Sequence, residues 1–244
     1  LVATPALAQT TGGTTTLQLP DLTSRENFSA AMQVIILLTV LSLAPAIMIM
    51  MTSFTRIIIV LSLLRQALGT PQLPPNQVII GLAMFMTFLV MGPTFDAVHS
   101  QAIRPYLDGT ITQAEALKQA EGPVREFMIR QIEATGNDED VLLFHSFKTD
   151  TAPETWADVS TMTLIPAFML SELKTAFLIG FKIYLPFLII DMVISAVLIS
   201  MGMMMLPPVL ISLPFKLLLF VLVDGWRLIT ASLMSSFAIG SPTG

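Results

Sequence analysis

Cysteine is absent from the 244-residue chain. That removes disulfides, thiol catalysis and thiolate metal sites, and it fits an oxidising or two-faced location. Histidine occurs only twice, and His99 and His145 stand alone, without neighbours at metal-ligand spacing. The sequence holds no G-x-x-x-x-G-K-[ST] phosphate loop, no G-x-S-x-G and no H-E-x-x-H. Charge is scarce as well: Asp, Glu, Lys and Arg make up 12% of the chain, about half of what a soluble domain carries. None of it clusters as a basic patch suited to nucleic acid.

What the chain has instead is apolar length. Hydrophobic residues make up 54% of it and the mean hydropathy is +0.77, values of a membrane protein. The net charge of −5 is unevenly spread, because 12 of the 17 acids fall between Asp96 and Asp158. At the start, "LVATPALAQ" carries an A-x-A pattern after apolar residues, as at the end of a secretory signal peptide. Residues 1–8 are therefore expected to be a signal remnant, and 9–29 a polar segment outside the cytoplasm.

Residues 30–51 carry no charge over 22 positions, enough to cross a hydrocarbon core of about 30 Å, with a kink expected at Pro45. "TSFTRIIIVLSLLRQALG" predicts a helix ending at Gly69, and "TPQLPPNQ" a turn. Residues 78–95 form a second uncharged run, broken near its end by Gly92-Pro93. Together 30–95 read as a first hydrophobic helical hairpin. Residues 96–160 read as a small polar domain with helices in "TQAEALKQA" and "PVREFMIRQIEA" and a solvated acidic turn at "TGNDED". Residues 161–240 return to apolar runs, 164–180, 183–206 and 210–223, with a hinge at "LPPVLISLP". If the start lies outside, Arg56 and Arg65 fall on the cytoplasmic side, in agreement with the positive-inside rule.

Within these apolar runs lie Glu172, Lys174, Lys182, Asp191, Lys216, Asp224 and Arg227. An ionisable group at mid-bilayer costs roughly 2.5–3.5 kcal/mol on insertion scales, so such groups pair, face a bundle interior or line water. Asp224 and Arg227, at i, i+3, are placed to pair within one helix. Glu172 and Lys174, at i, i+2, point to different faces and need partners elsewhere; snorkelling to an interface is the plain alternative for these two and for Lys216. An assembly whose helices exchange partners between subunits accounts for so many charges better than a self-sufficient bundle. A proton-sharing pair of Asp191 and Asp224 is the one enzymatic idea available, but "IIDMV" and "LVDGW" lack the surroundings of intramembrane aspartyl proteases.

The remaining oddity is "SMGMMMLPP". Met201, Met204 and Met205 have helical i, i+3, i+4 spacing, yet Pro207 pushes Leu206 out of the α region and Gly202 loosens the backbone, which predicts a helix end or loop. Lipid-facing filler and flexible packing compete with a third reading, a seal that something passes through.

Three blocks, "MMTSFTRIIIVLSLLRQALGTPQLPPNQVIIGLAMFMTF", "SELKTAFLIGFKIYLPFLIIDMVISAVLISMGMMMLPP" and "LPFKLLLFVLVDGWRL", resemble the FliP/SctR family of bacterial type III export-gate proteins, in the family's order and with its acidic insert between them. The resemblance implies an all-α membrane-associated fold: bent hydrophobic hairpins with an inserted polar helical periplasmic domain, assembled as a helical oligomer. It implies about five copies in one assembly with FliQ and FliR, docking to FlhA and FlhB, in the inner membrane and flagellar basal body with the bulk toward the periplasm. It implies no enzyme and no cofactor, but a pore passing unfolded flagellar subunits, with Met203, Met204 and Met205, beside Met201, as a deformable gasket against ion leakage. Asp191 and Lys216 match charged positions of the family and are expected to support assembly or the gate, as are Glu172, Lys174, Asp224 and Arg227. Phe127 and Phe144 are weaker expectations for subunit contacts. An injectisome homologue is the alternative, with a transporter or intramembrane protease behind it.

Overall fold

A computed structural model describes residues 25–149, 151–203 and 206–237. The signal remnant, the polar segment as far as residue 24, and Met204 and Met205 lie outside the described residues. The described chain is helical throughout, with no strand among the described residues. It falls into two units, residues 1–45 and 46–244. The first contributes most of helix α1 (Arg25–Met50), where Val34, Ile35, Leu38 and Leu41 are exposed and the Thr39 hydroxyl donates back to the Ile35 carbonyl at 2.8 Å.

Helix α2 (Phe54–Ala67) buries Ile57, Val60, Leu61, Leu64 and Ala67, the i, i+3, i+4, i+7 stripe of a core-facing helix. It stops at Gly69, whose N–H bonds the Gln66 carbonyl at 3.0 Å while Thr70 N–H reaches that of Arg65 at 3.4 Å. After the proline-rich turn, α3 (Asn76–Val98) runs back along it, burying Ile79, Ala83, Met86 and Val90. The expected break at Gly92-Pro93 does not occur: α3 continues through a π-helical turn, His99–Ile103, into α4 (Arg104–Leu107). Pro93 forfeits one N–H, but its ring lies on the exposed face while Val90, Met91 and Thr94 stay packed on the other.

The two helices expected in the acidic segment are one, α5 (Gln113–Thr135), opened by a capping box between Thr112 and Glu115 and closed by Gly136 in the left-handed conformation. Helix α6 (Asp138–Ser146) follows. The acidic "NDED" is thus its first turn rather than a loop, where carboxylates complement the positive end of the helix dipole. Phe127, Met128, Ile132 and Val141 pack in the same buried cluster as Ile57 and Val60 of α2, Met86 of α3, and Leu164 and Phe168. The acidic segment therefore shares one core with the apolar helices.

The apolar runs 164–180 and 183–206 likewise merge. Helix α7 (Thr161–Ser200) is 40 residues long, about 60 Å at 1.5 Å per residue. Pro166 and Pro186 lie inside it, the latter with its ring exposed beside buried Phe187. Helix α8 (Pro208–Leu222) folds back on α7 and α9 (Gly225–Ser235) follows, bent 66° from α8 at Asp224, which holds φ 51°. By length and composition, residues 76–107 and α7 are each able to cross a membrane, and the bent α8–α9 pair is a third candidate.

Candidate functional site: three charged clasps and a methionine turn

Arg56 and Glu172 are both fully buried. The Arg56 Nε–H donates to Glu172 Oε2 at 2.8 Å, and Nη2 to Oε1, so the guanidinium meets both carboxylate oxygens. Nη1 donates to the Ser236 carbonyl at 2.8 Å and to its hydroxyl at 3.3 Å. The Phe237 ring covers the guanidinium, its centroid 4.2 Å from Cζ. A buried ion pair repays its desolvation only when the remaining donors are also met, and the planar Arg fork is suited to that. This clasp ties α2, α7 and the end of α9 together.

Lys174, two residues on, grips a different helix, since i and i+2 lie about 200° apart around an α-helix. Its ammonium pairs with Asp140 of α6; the lysine side chain is 52% exposed and that of Asp140 3%. The acidic turn "TGNDED" predicts solvated surface, yet Asp140 within it is buried and paired.

The third clasp sits in the α7–α8 hairpin. Lys216 Nζ donates to Asp191 Oδ2 at 2.6 Å and to the Ala67 carbonyl at 3.2 Å, while the Ser212 hydroxyl donates to Asp191 Oδ1 at 2.6 Å. A cation at the last carbonyls of α2 also offsets the negative end of that helix. Both Asp191 oxygens are engaged, one by Lys216 and one by Ser212.

Glu172 and Lys174 do find partners elsewhere, as their i, i+2 spacing requires, and Glu172, Lys174, Asp191 and Lys216 are all paired within one chain, with no exchange between subunits needed for these four. Arg56, which the sequence offers only as a vote on orientation, shares its apolar run with Arg65, and a base in one apolar run with an acid in another hints at a pair without naming its members. Among the described residues Asp224 and Arg227 form no ion pair: the helix breaks at Asp224 and both side chains face outward. Phe127 is buried, edge-to-face with Phe168 at 6.0 Å; Phe144 is half-buried against the same cluster. Phe127 therefore packs inside the chain and presents no surface for a subunit contact.

At the hairpin tip, Gly202 N–H bonds the Ile199 carbonyl at 3.0 Å and Met203 N–H that of Leu198 at 3.0 Å. This is the paired Schellman pattern, with Gly202 at φ 75° in the position that favours glycine. The glycine therefore makes a defined stop instead of loosening the chain. Met201 and Met203 project from the turn, 66% and 40% exposed.

Among the described residues no cluster of His, Cys, Asp and Glu could hold a metal. The molecule is an all-α, membrane-associated protein whose apolar helices are cross-linked by buried charge. The chain belongs to the FliP family, whose sequence pattern matches residues 37–233. It is 54% identical over 212 residues to "Flagellar biosynthetic protein FliP" of Bacillus subtilis (strain 168), covering 87% of this chain and 94% of that protein. Similarly named proteins of Caulobacter vibrioides and Pectobacterium carotovorum are 52% and 50% identical, covering 86% and 92% of this chain and 77% and 85% of theirs.

Proposed function

We propose that this chain is a structural pore subunit of the flagellar type III protein export gate, in the bacterial inner membrane at the flagellar basal body with its bulk toward the periplasm. It is no enzyme and needs no cofactor; it assembles in about five copies with FliQ and FliR and meets FlhA and FlhB. Family membership and the names of the relatives favour the flagellar system over the injectisome.

The observation that carries the pore reading is the hairpin tip. The Schellman stop holds Met201 and Met203 out of the helix, and the Asp191–Lys216 clasp, 10 residues before Met201, keeps the two arms together. Methionines on a stiffly supported turn, repeated around an axis, form a ring that reshapes around a passing chain and closes behind it. An apolar constriction resists ions by dewetting. Replacing Met203, Met204 and Met205 together by alanine is expected to raise ion flux through the assembled gate while assembly persists. Unchanged conductance in planar bilayers would refute the seal.

A further inference from the structure

The α8–α9 pair is fastened to α2 near both ends of that helix. Lys216 of α8 reaches the Ala67 carbonyl at one end, and Ser236, just after α9, takes the Arg56 guanidinium at the other. Between Arg56 and Ala67, α2 covers about 16 Å, whereas one straight helix from Lys216 to Ser236 would cover about 30 Å. A straight run would overshoot. At Asp224 the chain instead turns by 66°, and α9 places Leu233 and then Phe237 in the buried cluster that holds Ile57 and Val60. The corner is packed for this bend. The rings of Phe187, Phe220 and Trp226 follow one another at 6.4 and 5.4 Å, and a Cβ added to Gly225 would stand 2.3 Å from the Phe220 ring.

Asp224 itself does not favour the bend. Its backbone sits at φ 51°, ψ 53°, the left-handed region that residues with a Cβ enter at a cost. Its exposed side chain has no partner among the described residues. With right-handed angles at this position, α8 and α9 would run on as one helix. The N–H groups of Gly225, Trp226 and Arg227, which have no backbone acceptor among the described residues, would then reach the carbonyls of Val221, Leu222 and Val223. The two fastenings also differ in what their loss leaves behind. Lys216 sits on the hairpin arm that it ties to Asp191. Ser236 and Phe237 offer Arg56 only neutral acceptors and a ring face, and the arginine keeps Glu172 when they leave. We infer that α9 is a latch, shut on α2 by Leu233, Ser236 and Phe237 against strain held at Asp224, and that it opens by straightening onto α8. Opening leaves both buried charge pairs made. This goes beyond the pore reading and does not rest on it.

The test uses the full chain in the complex it forms in membranes, extracted in mild detergent, with amide exchange read by mass spectrometry. D224A and D224G remove the same exposed side chain and differ in how readily the residue adopts left-handed angles. D224A should speed exchange of residues 229–236 about fivefold and D224G should slow it about fivefold, with residues 54–67 unchanged in both. F237A, which loosens the far end of the latch, should speed the same amides, and adding D224G should recover part of that loss. In D224A/F237A the straight form should appear as slower exchange at residues 225–227, a change that simple loosening would not give. Like responses to D224A and D224G, no recovery by D224G in F237A, or faster exchange at 225–227 in D224A/F237A would overturn the latch. Acceleration spread equally through residues 54–67 would also overturn it, in favour of general unfolding.

Discussion

The Arg56–Glu172 pair puts two fully buried charges in the most apolar part of the molecule. Removing one partner strands the other, a loss of about 3–5 kcal/mol, whereas replacing both by apolar residues of similar volume is often nearly neutral. R56M and E172M are each expected to reduce the yield of folded protein sharply, and R56M/E172M to recover much of it. Thermal unfolding of the detergent-solubilised chain is the measurement, and equal losses in all three variants would contradict the clasp. The residue scale is also where the sequence was least readable. Periodicity shows that a charge lies on an apolar stripe but not which distant charge shares the space. Arg56 and Glu172 stand 116 residues apart, and nothing local to "SFTRII" or "LSELKT" names the other.

At the scale of elements, α2 and α7 come close together at Gly180. A Cβ built there would lie 2.2 Å from Leu63 Cδ1 and 3.2 Å from its Cβ, so the glycine is a matter of space. G180V should cost about 1–3 kcal/mol through overpacking, and L63A in the same chain should return part of it; a neutral G180V in thermal unfolding would sink the argument.

The first turn of α5 offers a pH test. Glu115 is held below its ordinary carboxylate range, first by the backbone N–H of Thr112 and then by its hydroxyl. A carboxyl depressed in the folded state contributes stability that is present above its unfolded pKa and lost as pH falls through the folded one. The protection factors of amides 113–118, corrected for the intrinsic pH dependence of exchange, should therefore be flat from neutral pH to about pH 5 and fall below about pH 4, and E115Q should remove that acid response. Asp158, depressed chiefly by the Thr155 N–H, should loosen its turn over the same range.

Elements with chemical punctuation were legible: the Gly69 stop, the proline turn after it and the helix end at Met201 follow from glycine and proline rules. The boundaries that were misread, at Gly92-Pro93 and near Gly180 to Lys182, are places where packing on one face holds a helix together through residues that would break it alone. The acidic segment was misread for a related reason. Its charge marks the outer face of α5 and α6, while Phe127, Met128 and Ile132 on the inner face join a core that composition does not reveal.

For the whole molecule, α7 sets the proportions. A helix of about 60 Å is twice the thickness of a hydrocarbon core of about 30 Å, so one simple bilayer crossing cannot account for all of it. Yet apolar side chains remain uncovered along both halves, among them Phe177, Leu178 and Phe181, then Ile189, Met192 and Ile199. Monomeric soluble proteins do not expose patches of that extent, and the proposed assembly with FliQ, FliR and further copies of the chain would cover them.

The clasp at Arg56 also has a consequence for how the chain is made. Its two partners lie 116 and 180 positions downstream, so the arginine leaves the ribosome long before either exists. Throughout synthesis its charge must be kept wet or held by something else. Only when Ser236 emerges does the guanidinium find its full set of acceptors. A chain cut short before Glu172 keeps an unpaired cation, and one cut between Glu172 and Ser236 pairs the charge but leaves Nη1 without its two acceptors.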